Sequence, residues 1–498
     1  MSKKMKIGID FGTCFSLPAG LINGAPATLL PYGEYGMPSV FYYDGENGVQ
    51  IGKNADKRAE ILPQNAKRFI KMGISGDEKS FSADGRTFST EEIIEYIFKE
   101  LRKISRKEIE RRALVAQDIE GAVISIPAAF DFREQELIRN AAEKSGIEVL
   151  GFIREPVAAA IAYFKAPAQA GKEKTILVYD LGGGTCDVAI VRSNTNPNCN
   201  AWYDVIDSEM LRIGGRDWDS ALIKVVKRKC QEKLGNTFDA EMEEKLRRET
   251  MQAKHALSNE PLDPNMPCKA LVTVVSPQGP IQCTVTIDEF EEASAHLLQQ
   301  TMAMVKRVKN RCKTPIDDIV CVGGSSNMPQ VKKVFEREFP GIPVKVHNPE
   351  TAIAFGAAIF AEHLSEENFL RDKCKFSYGA RYIENFEEFH DRTRLKIWNI
   401  IYKGDNLPAS GTSTSCCVED GNHSVYIAVY ESECTDDVYP PEKGSYIGDI
   451  EITGIPDAHK NDRILLTMGI GRNGLMSLKA VHEKSGRFAN VEIRLNDF

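Results

Sequence analysis

Two segments far apart in this chain are written on one plan. Met5 to Ile9 is an apolar-rich run that meets the turn Asp10-Phe11-Gly12-Thr13, with further apolar runs at Ala19 to Ile22 and Ala27 to Leu30. Thr175 to Tyr179 meets Asp180-Leu181-Gly182-Gly183-Gly184-Thr185, with Asp187 to Val191 and Trp202 to Ile206 behind it. A strand, a turn opening on aspartate and closing on Gly-Thr, then more strands, occurring twice, predicts two related lobes. Apolar stripes at helical spacing (Trp218, Leu222, Val225 and Val226; then Val331, Val334 and Phe335) predict helices packed on those sheets, an α/β architecture. Asp239 to Ser258 and Asp288 to Asn310 read as long charged helices of an outer subdomain, with strands near Leu271 to Val285.

The texture changes after about Glu366. Short alternating stretches follow: Leu395 to Tyr402, Val425 to Tyr430, Ile447 to Ile452, Arg463 to Met468, Ser477 to Val481 and Val491 to Leu495. Turn residues separate them (Gly404-Asp405, Asp420-Gly421, Arg472-Asn473-Gly474), so a separate antiparallel β domain is expected. Within it Trp398, Ile400 and Tyr402 alternate with polar positions and read as core. A length of 498 residues accommodates such a multidomain plan.

Composition narrows the function classes. A chain 42% hydrophobic and 27% charged reads as globular, and a formal charge of -8 argues against a general nucleic-acid surface. About 18 apolar residues in a row would be needed for a membrane helix, and no such run occurs. Met1 to Lys6 leads straight into the first strand without room for an apolar targeting segment. The twelve cysteines are scattered and lack zinc spacing, so thiols in a reducing, cytoplasmic setting are expected.

Phosphates need backbone N–H groups at close range, and glycine allows that approach without a clashing Cβ. Gly12-Thr13 and Gly182-Gly183-Gly184-Thr185 supply two such cradles, and Gly323-Gly324-Ser325-Ser326, after strand Asp318 to Val322, supplies a third. Open α/β sheets bind ligands at the carboxyl ends of their strands, where all three lie. Asp10 and Asp180 occupy the first position of the repeated turns, and facing lobes would bring both to one Mg²⁺.

Eight segments now come together in order: IGIDFGT (7–13), AKRFI (66–70), AVISIPAAF (122–130), EPVAAAIAY (155–163), LVYDLGGGTCDVAI (177–190), GGRDWD (214–219), VGGSSNMP (322–329) and NPETAIAFGAA (348–358). In these the chain resembles the seventy-kilodalton heat-shock, DnaK-type, chaperones. The resemblance is specific over residues 5 to 363 and weaker to 498. It implies a two-lobed actin/sugar-kinase/heat-shock-type ATPase fold over 1–364, with lobes at about 1–172 and 173–364. A linker over 365–390 and a β-sandwich peptide-binding-like domain over 391–498 would follow.

The resemblance also implies roles. Lys67 would be the catalytic lysine near the γ-phosphate, Glu155 and Asp187 would orient the attacking water and the metal's hydration shell, and Thr185 would hydrogen-bond the γ-phosphate. Asp10 and Asp180 would hold Mg²⁺ largely through water. Cys14, Phe15, Gly214, Gly215, Ser325 and Glu350 would complete the contacts to ATP or ADP. The adenosine motif reads Met251-Gln252-Ala253-Lys254-His255-Ala256-Leu257-Ser258. Lys254 and Ser258 match the family, but His255 and Asn327 stand where arginines are usual and Met251 replaces a glutamate, which predicts weaker nucleotide binding.

Other departures concern communication between domains. Pro127 matches the family's switch proline, but Gln135 and Gly151 stand where arginines are expected, the second at a site for J-domain co-chaperones. The acidic-leucine linker is replaced by Ser365 to Phe376, and the sequence reaches Phe498 without the helical lid. The expected partners are therefore unfolded peptide or a dedicated protein client, with a nucleotide-exchange factor; stimulation by a J-domain protein stays open. Rival readings are a nucleotide-dependent scaffold, a small-molecule kinase of the same superfamily and a hydrolytically dead ATP sensor.

Overall fold

In the computed structural model, residues 3–76, 79–112, 114, 116–169, 173–194, 202–234, 238, 240–259, 268–276, 279–366, 368–383, 395–417, 420–421, 423–471 and 475–493 are described. They divide into two compact units, one of residues 1–128 with 140–370 and the other of 129–139 with 371–498.

The first unit contains one strand plan executed twice. In its first lobe β1 (Lys3–Phe11), β2 (Phe15–Ile22), β3 (Ala25–Thr28), β4 (Ala116–Ile126) and β5 (Val149–Arg154) run in the order β5-β4-β1-β2-β3. In the second lobe β6 (Glu173–Leu181), β7 (Cys186–Asn194), β8 (Trp202–Leu211), β9 (Asp318–Val322) and β10 (Val344–Val346) run β10-β9-β6-β7-β8. In both, the first two strands form an antiparallel hairpin while the strand on the other side of the first is parallel to it. The repeated acidic turns of the sequence thus mark a repeated sheet.

Each lobe closes with a helix of unusual composition. α1 (Glu155–Lys165) and α2 (Ala352–Glu362) are alanine-rich and apolar on nearly every side, as expected of helices buried all round. Small residues let them approach closely: a Cβ on Gly356 would stand 1.8 Å from the carbonyl oxygen of Ala158, and one on Gly8 of β1 would stand 2.2 Å from the nitrogen of Ala358. The two helices therefore bind the lobes across a glycine-made crossing.

The outer part of the second lobe holds the helix Gly215–Leu234, the helix Ala240–Ser258, the hairpin Lys269–Ser276 with Gly279–Thr286, and the helix Ile287–Arg311. Trp218, Leu222 and Val226 are buried together as their spacing predicts, and the last of these helices opens with a capping box between Thr286 and Glu289. The long helix read from Asp239 starts at Ala240; Asp239 lies outside the described residues.

The second unit is a sandwich of two antiparallel sheets. One is built on β11 (Ser377–Ile383), β12 (Leu395–Ile401), β14 (Ser424–Ser432) and β15 (Ser445–Thr453), and the other on β13 (Ala409–Cys416), β16 (Arg463–Ile470), β17 (Met476–His482) and β18 (Phe488–Ile493). Tyr378, Val429, Ile450, Ile464, Leu466, Met476 and Leu478 fill the space between them. Two expectations are corrected here. Ser377–Ile383, read as part of a linker, is a strand in the middle of the larger sheet, between β12 and β14. Trp398 is 49% exposed, whereas its neighbours Ile397, Asn399 and Ile401 are buried. Both phases of this strand carry apolar residues, and Asn399 decides between them by donating its side-chain amide to the carbonyls of Cys434 and Asp436 at 3.0 and 2.8 Å. The turn at 472–474 lies outside the described residues.

Candidate functional site

The site grows from the ends of the two equivalent hairpins. The strands run further than the sequence suggests, so the aspartates are strand residues and not the first residues of turns: Asp10 pairs with Leu17 and Asp180 with Asp187. A ladder position fixes each carboxylate more firmly than a turn would. Phe11 and Leu181 end these strands, and the chain then enters the glycine loops.

The two loops meet. A Cβ on Gly183 would stand 2.4 Å from Sγ of Cys14, and one on Gly184 would stand 2.9 Å from Oγ1 of Thr13. The segment 214–216 grips the second loop from behind, the amides of Gly215 and Arg216 donating to the carbonyls of Gly182 and Gly183 at 2.8 and 2.9 Å. Gly182 in turn donates its amide to Thr185 O at 3.0 Å. The third loop closes on the same point: Gly323 has φ +79, and a Cβ there would stand 2.5 Å from Oδ1 of Asp180. Ser325 lies against Gly215, whose added Cβ would be 2.2 Å from its Oγ. All three predicted cradles are thus brought to one cleft.

Four carboxylates gather in it. Ligand oxygens of Glu155, Asp180 and Asp187 lie within 4.8 Å of one another, and all three residues are buried. Asp10 is outside that trio but electrostatically coupled to it; Ser125 Oγ donates to its Oδ1 at 2.9 Å. Ala128 donates its amide to Asp187 Oδ1 at 2.6 Å. Burial, followed by repulsion from Glu155, pushes the Asp10 and Asp187 carboxyls up to about 7, and the same causes raise Asp180 well above the carboxylate range. Glu155 opens α1, where the helix dipole favours an anion, and pairs with the buried ammonium of Lys71.

This arrangement fits a hydrated divalent cation. Oδ1 of Asp180 and Oδ2 of Asp187 are buried without a hydrogen-bond partner among the described residues, and an uncompensated acceptor of that kind is costly unless a cation or water meets it. The acidic trio sets Glu155 and Asp187, expected from the sequence to orient the ion's hydration shell, directly beside Asp180.

The remaining predicted residues distribute around the cleft. Lys254 is buried and ion-paired with Asp219 at 2.6 Å, and it donates to Gly215 O at 3.3 Å, tying its helix to the segment that grips the second loop. Ser258 Oγ donates back to Lys254 O at 2.8 Å. Met251 accepts from Arg247 through its sulfur. His255 and Glu350 lie close enough to interact, and burial together with the Lys254 charge holds the His255 imidazole below its ordinary pKa. Asn327 ends the short turn Gly324–Asn327 and is exposed. Burial, with Asp219 adding to it, pushes the Cys14 thiol up to about 11, away from reactive thiolate chemistry. Lys67 lies half-buried on the short strand Ala66–Lys67 opposite Phe41.

Beside the loops lies a cavity of about 380 Å³ lined by Thr13, Cys14, Phe15, Arg68, Met251 and His255 among others. Ion pairs span its mouth from lobe to lobe: Arg68 with Glu244 at 3.3 Å and Arg248 with Glu60 at 2.6 Å. Sequence reasoning missed Lys71, Ser125, Ala128 and these cleft-spanning pairs. For Lys71 a signal existed, since a lysine enclosed by apolar neighbours in Ile70-Lys71-Met72-Gly73-Ile74 is poorly placed for a solvated face.

Comparison with known proteins points the same way. A family model described as Hsp70 protein matches residues 75–497. A ribosome-associated molecular chaperone of Zygosaccharomyces rouxii is 26% identical over 532 residues, covering 98% of this chain and 81% of that protein. The chaperone protein DnaK of Thermotoga maritima is 28% identical over 505 residues, covering 97% and 79%. DnaK of Mycoplasmopsis synoviae is 27% identical over 512 residues, covering 99% and 79%. No helix among the described residues is long and apolar enough to cross a membrane.

Proposed function

Because this chain belongs to the Hsp70 family, we propose that it is a chaperone whose first unit binds and hydrolyses ATP and whose β-sandwich holds an extended peptide. The observation that carries the reading is the convergence of three glycine loops on three buried carboxylates with Asp10 beside them. Phosphoryl transfer asks a protein chiefly for position and charge compensation, which this cleft is built to give.

In this reading the backbone amides of Gly12–Cys14 and Gly183–Thr185 bind the β- and γ-phosphates. Glu155, Asp180 and Asp187, with Asp10 beside them, would hold Mg²⁺ mostly through its waters. The bound ion would supply charge neutralisation for the leaving ADP. Asp187, held by the Ala128 amide, orients the attacking water, and Glu155 accepts its proton. Closing the cleft through Arg68–Glu244 and Arg248–Glu60 excludes bulk water and slows release of ADP.

The base site differs from the family pattern. His255 and Asn327 offer no guanidinium plane, and each such contact is worth about 1 kcal/mol. The double substitution His255→Arg and Asn327→Arg should therefore tighten ATP binding about tenfold or more in titration calorimetry. Unchanged affinity would show that the base is recognised elsewhere.

Phosphate release from ATP with no acceptor, measured with and without an unfolded peptide and a J-domain protein, tests the function itself. Basal release that rises with peptide supports the chaperone reading. Release that requires a small-molecule acceptor would favour a kinase, and binding of one folded protein without generic peptides would favour a scaffold. With Gln135 and Gly151 at the two positions named above, stimulation by the J-domain protein is expected to be weak.

A further inference from the structure

We propose that Cys230 and Cys283 are a modification site, a thiol pair that hydrogen peroxide converts to a reversible disulfide bracing the outer part of the second lobe. The inference stands on the packing of that subdomain and is independent of the ATPase reading above.

The helix Gly215–Leu234 buries a stripe at every fourth residue: Trp218, Leu222, Val226 and then Cys230. The strand Gly279–Thr286 buries every second residue, Ile281, Cys283 and Val285. The two periods bring one thiol from each element to the same point of the core, where Cys230 directs its S–H at Sγ of Cys283 from 3.8 Å. The residues beside both cysteines hold that register. Lys229 donates to the carbonyl of Thr284 and to the carboxylate of Glu289, both at 2.7 Å, so helix and hairpin are pinned one residue away from the sulfurs. A buried cysteine can serve as a small apolar residue, but that role does not call for a second sulfur at contact distance. Nor is the pair part of a metal site, since among the described residues no third His, Cys, Asp or Glu joins it.

Sulfurs in contact can bond to each other once either is oxidised. Cys283, 5% exposed, meets a small oxidant before Cys230, which is 0% exposed. Its sulfur attacks one oxygen of hydrogen peroxide, the O–O bond breaks and water leaves, with a sulfenic acid left on Cys283. The Cys230 sulfur then bonds to that sulfur as the S–O bond breaks. The departing hydroxide takes the Cys230 proton and leaves as a second water. Two thiols and one peroxide thus become one disulfide and two waters, and a dithiol reductant reverses the change. The link closes a loop of chain that includes the helix Ala240–Ser258, which carries Lys254 and His255 and packs Leu246, Ala253 and Leu257 into the same core. Cross-linking such a loop restricts the unfolded chain and so favours the folded subdomain.

Peptide mapping of the full chain by mass spectrometry, after peroxide treatment and thiol alkylation, tests this together with thermal unfolding of the same samples. A linked peptide joining Cys230 to Cys283 is expected, and dithiothreitol should remove it. The oxidised chain should melt about 3 °C or more above its reduced form. Cys230→Ala and Cys283→Ala, each compared with its own reduced form so that lost packing cancels, should show no such rise. Cys416, which is exposed, reports that the peroxide dose sufficed. Oxidation of Cys416 without the Cys230–Cys283 peptide, a rise that persists in the alanine variants, or a link that leaves the midpoint unchanged would each overturn the proposal.

Discussion

Gly356→Ala is expected to cost the first unit about 3 to 5 kcal/mol, although it adds a single methyl group to a helix that alanine favours. Propensity alone would predict a gain of roughly 1 kcal/mol. Geometry reverses the sign: the added Cβ would sit 1.8 Å from the carbonyl oxygen of Ala158 and 2.4 Å from its carbon. Backbone cannot swing aside as a side chain can, so α1 and α2 must separate and lose the packing of Val157, Ile161, Ile353 and Ala357 between them. Thermal unfolding should report a midpoint lower by about 5 to 10 °C. Gly324→Ala, where an added Cβ meets nothing within 4 Å, is the control and should change the midpoint little. Equal effects from the two would show that the crossing is not where the lobes are held together.

The second large effect lies in the β-sandwich unit and depends on pH. Glu431 of β14 is buried, and burial, with repulsion from Asp131 and Glu134, pushes its carboxyl from 4.5 up to about 8. The Phe132 amide and the Tyr378 hydroxyl oppose that shift. Folded protein thus keeps a proton that unfolded chain has already given up. The group's contribution to stability is whole below pH 4.5 and is lost as pH rises to 8, by about 5 kcal/mol at 1.36 kcal/mol per pKa unit. Glu431→Gln keeps the shape without the titration. Its unfolding midpoint should exceed that of wild type above pH 8 and converge on it near pH 5. Parallel pH curves for the two proteins would contradict this account.

How much of this was legible in the residues differs from element to element. The duplicated hairpins were, because Asp-Phe-Gly-Thr and Asp-Leu-Gly-Gly-Gly-Thr follow apolar runs of strand length and glycine marks a close approach. Ala-rich α1 and α2 carried their burial in their composition. In the sandwich, Ser377–Ile383 and Ala409–Cys416 hid because small and hydroxylated residues give weak alternation, and Trp398 misled because apolar residues occupy both faces of its strand. Inside the cleft, local spacing says nothing about which distant groups meet. Lys71 with Glu155, Ser125 with Asp10 and Ala128 with Asp187 are contacts that only the folded sheets create.

The central claim is that two copies of one hairpin close on a single metal–nucleotide. Anomalous diffraction from crystals grown with Mn²⁺ and ADP tests it most directly. The expected result is a manganese peak among Asp10, Glu155, Asp180 and Asp187, with the diphosphate lying against Gly12–Cys14 and Gly182–Thr185. Manganese and ADP bound elsewhere, with those carboxylates still facing each other in an empty cleft, would contradict the account.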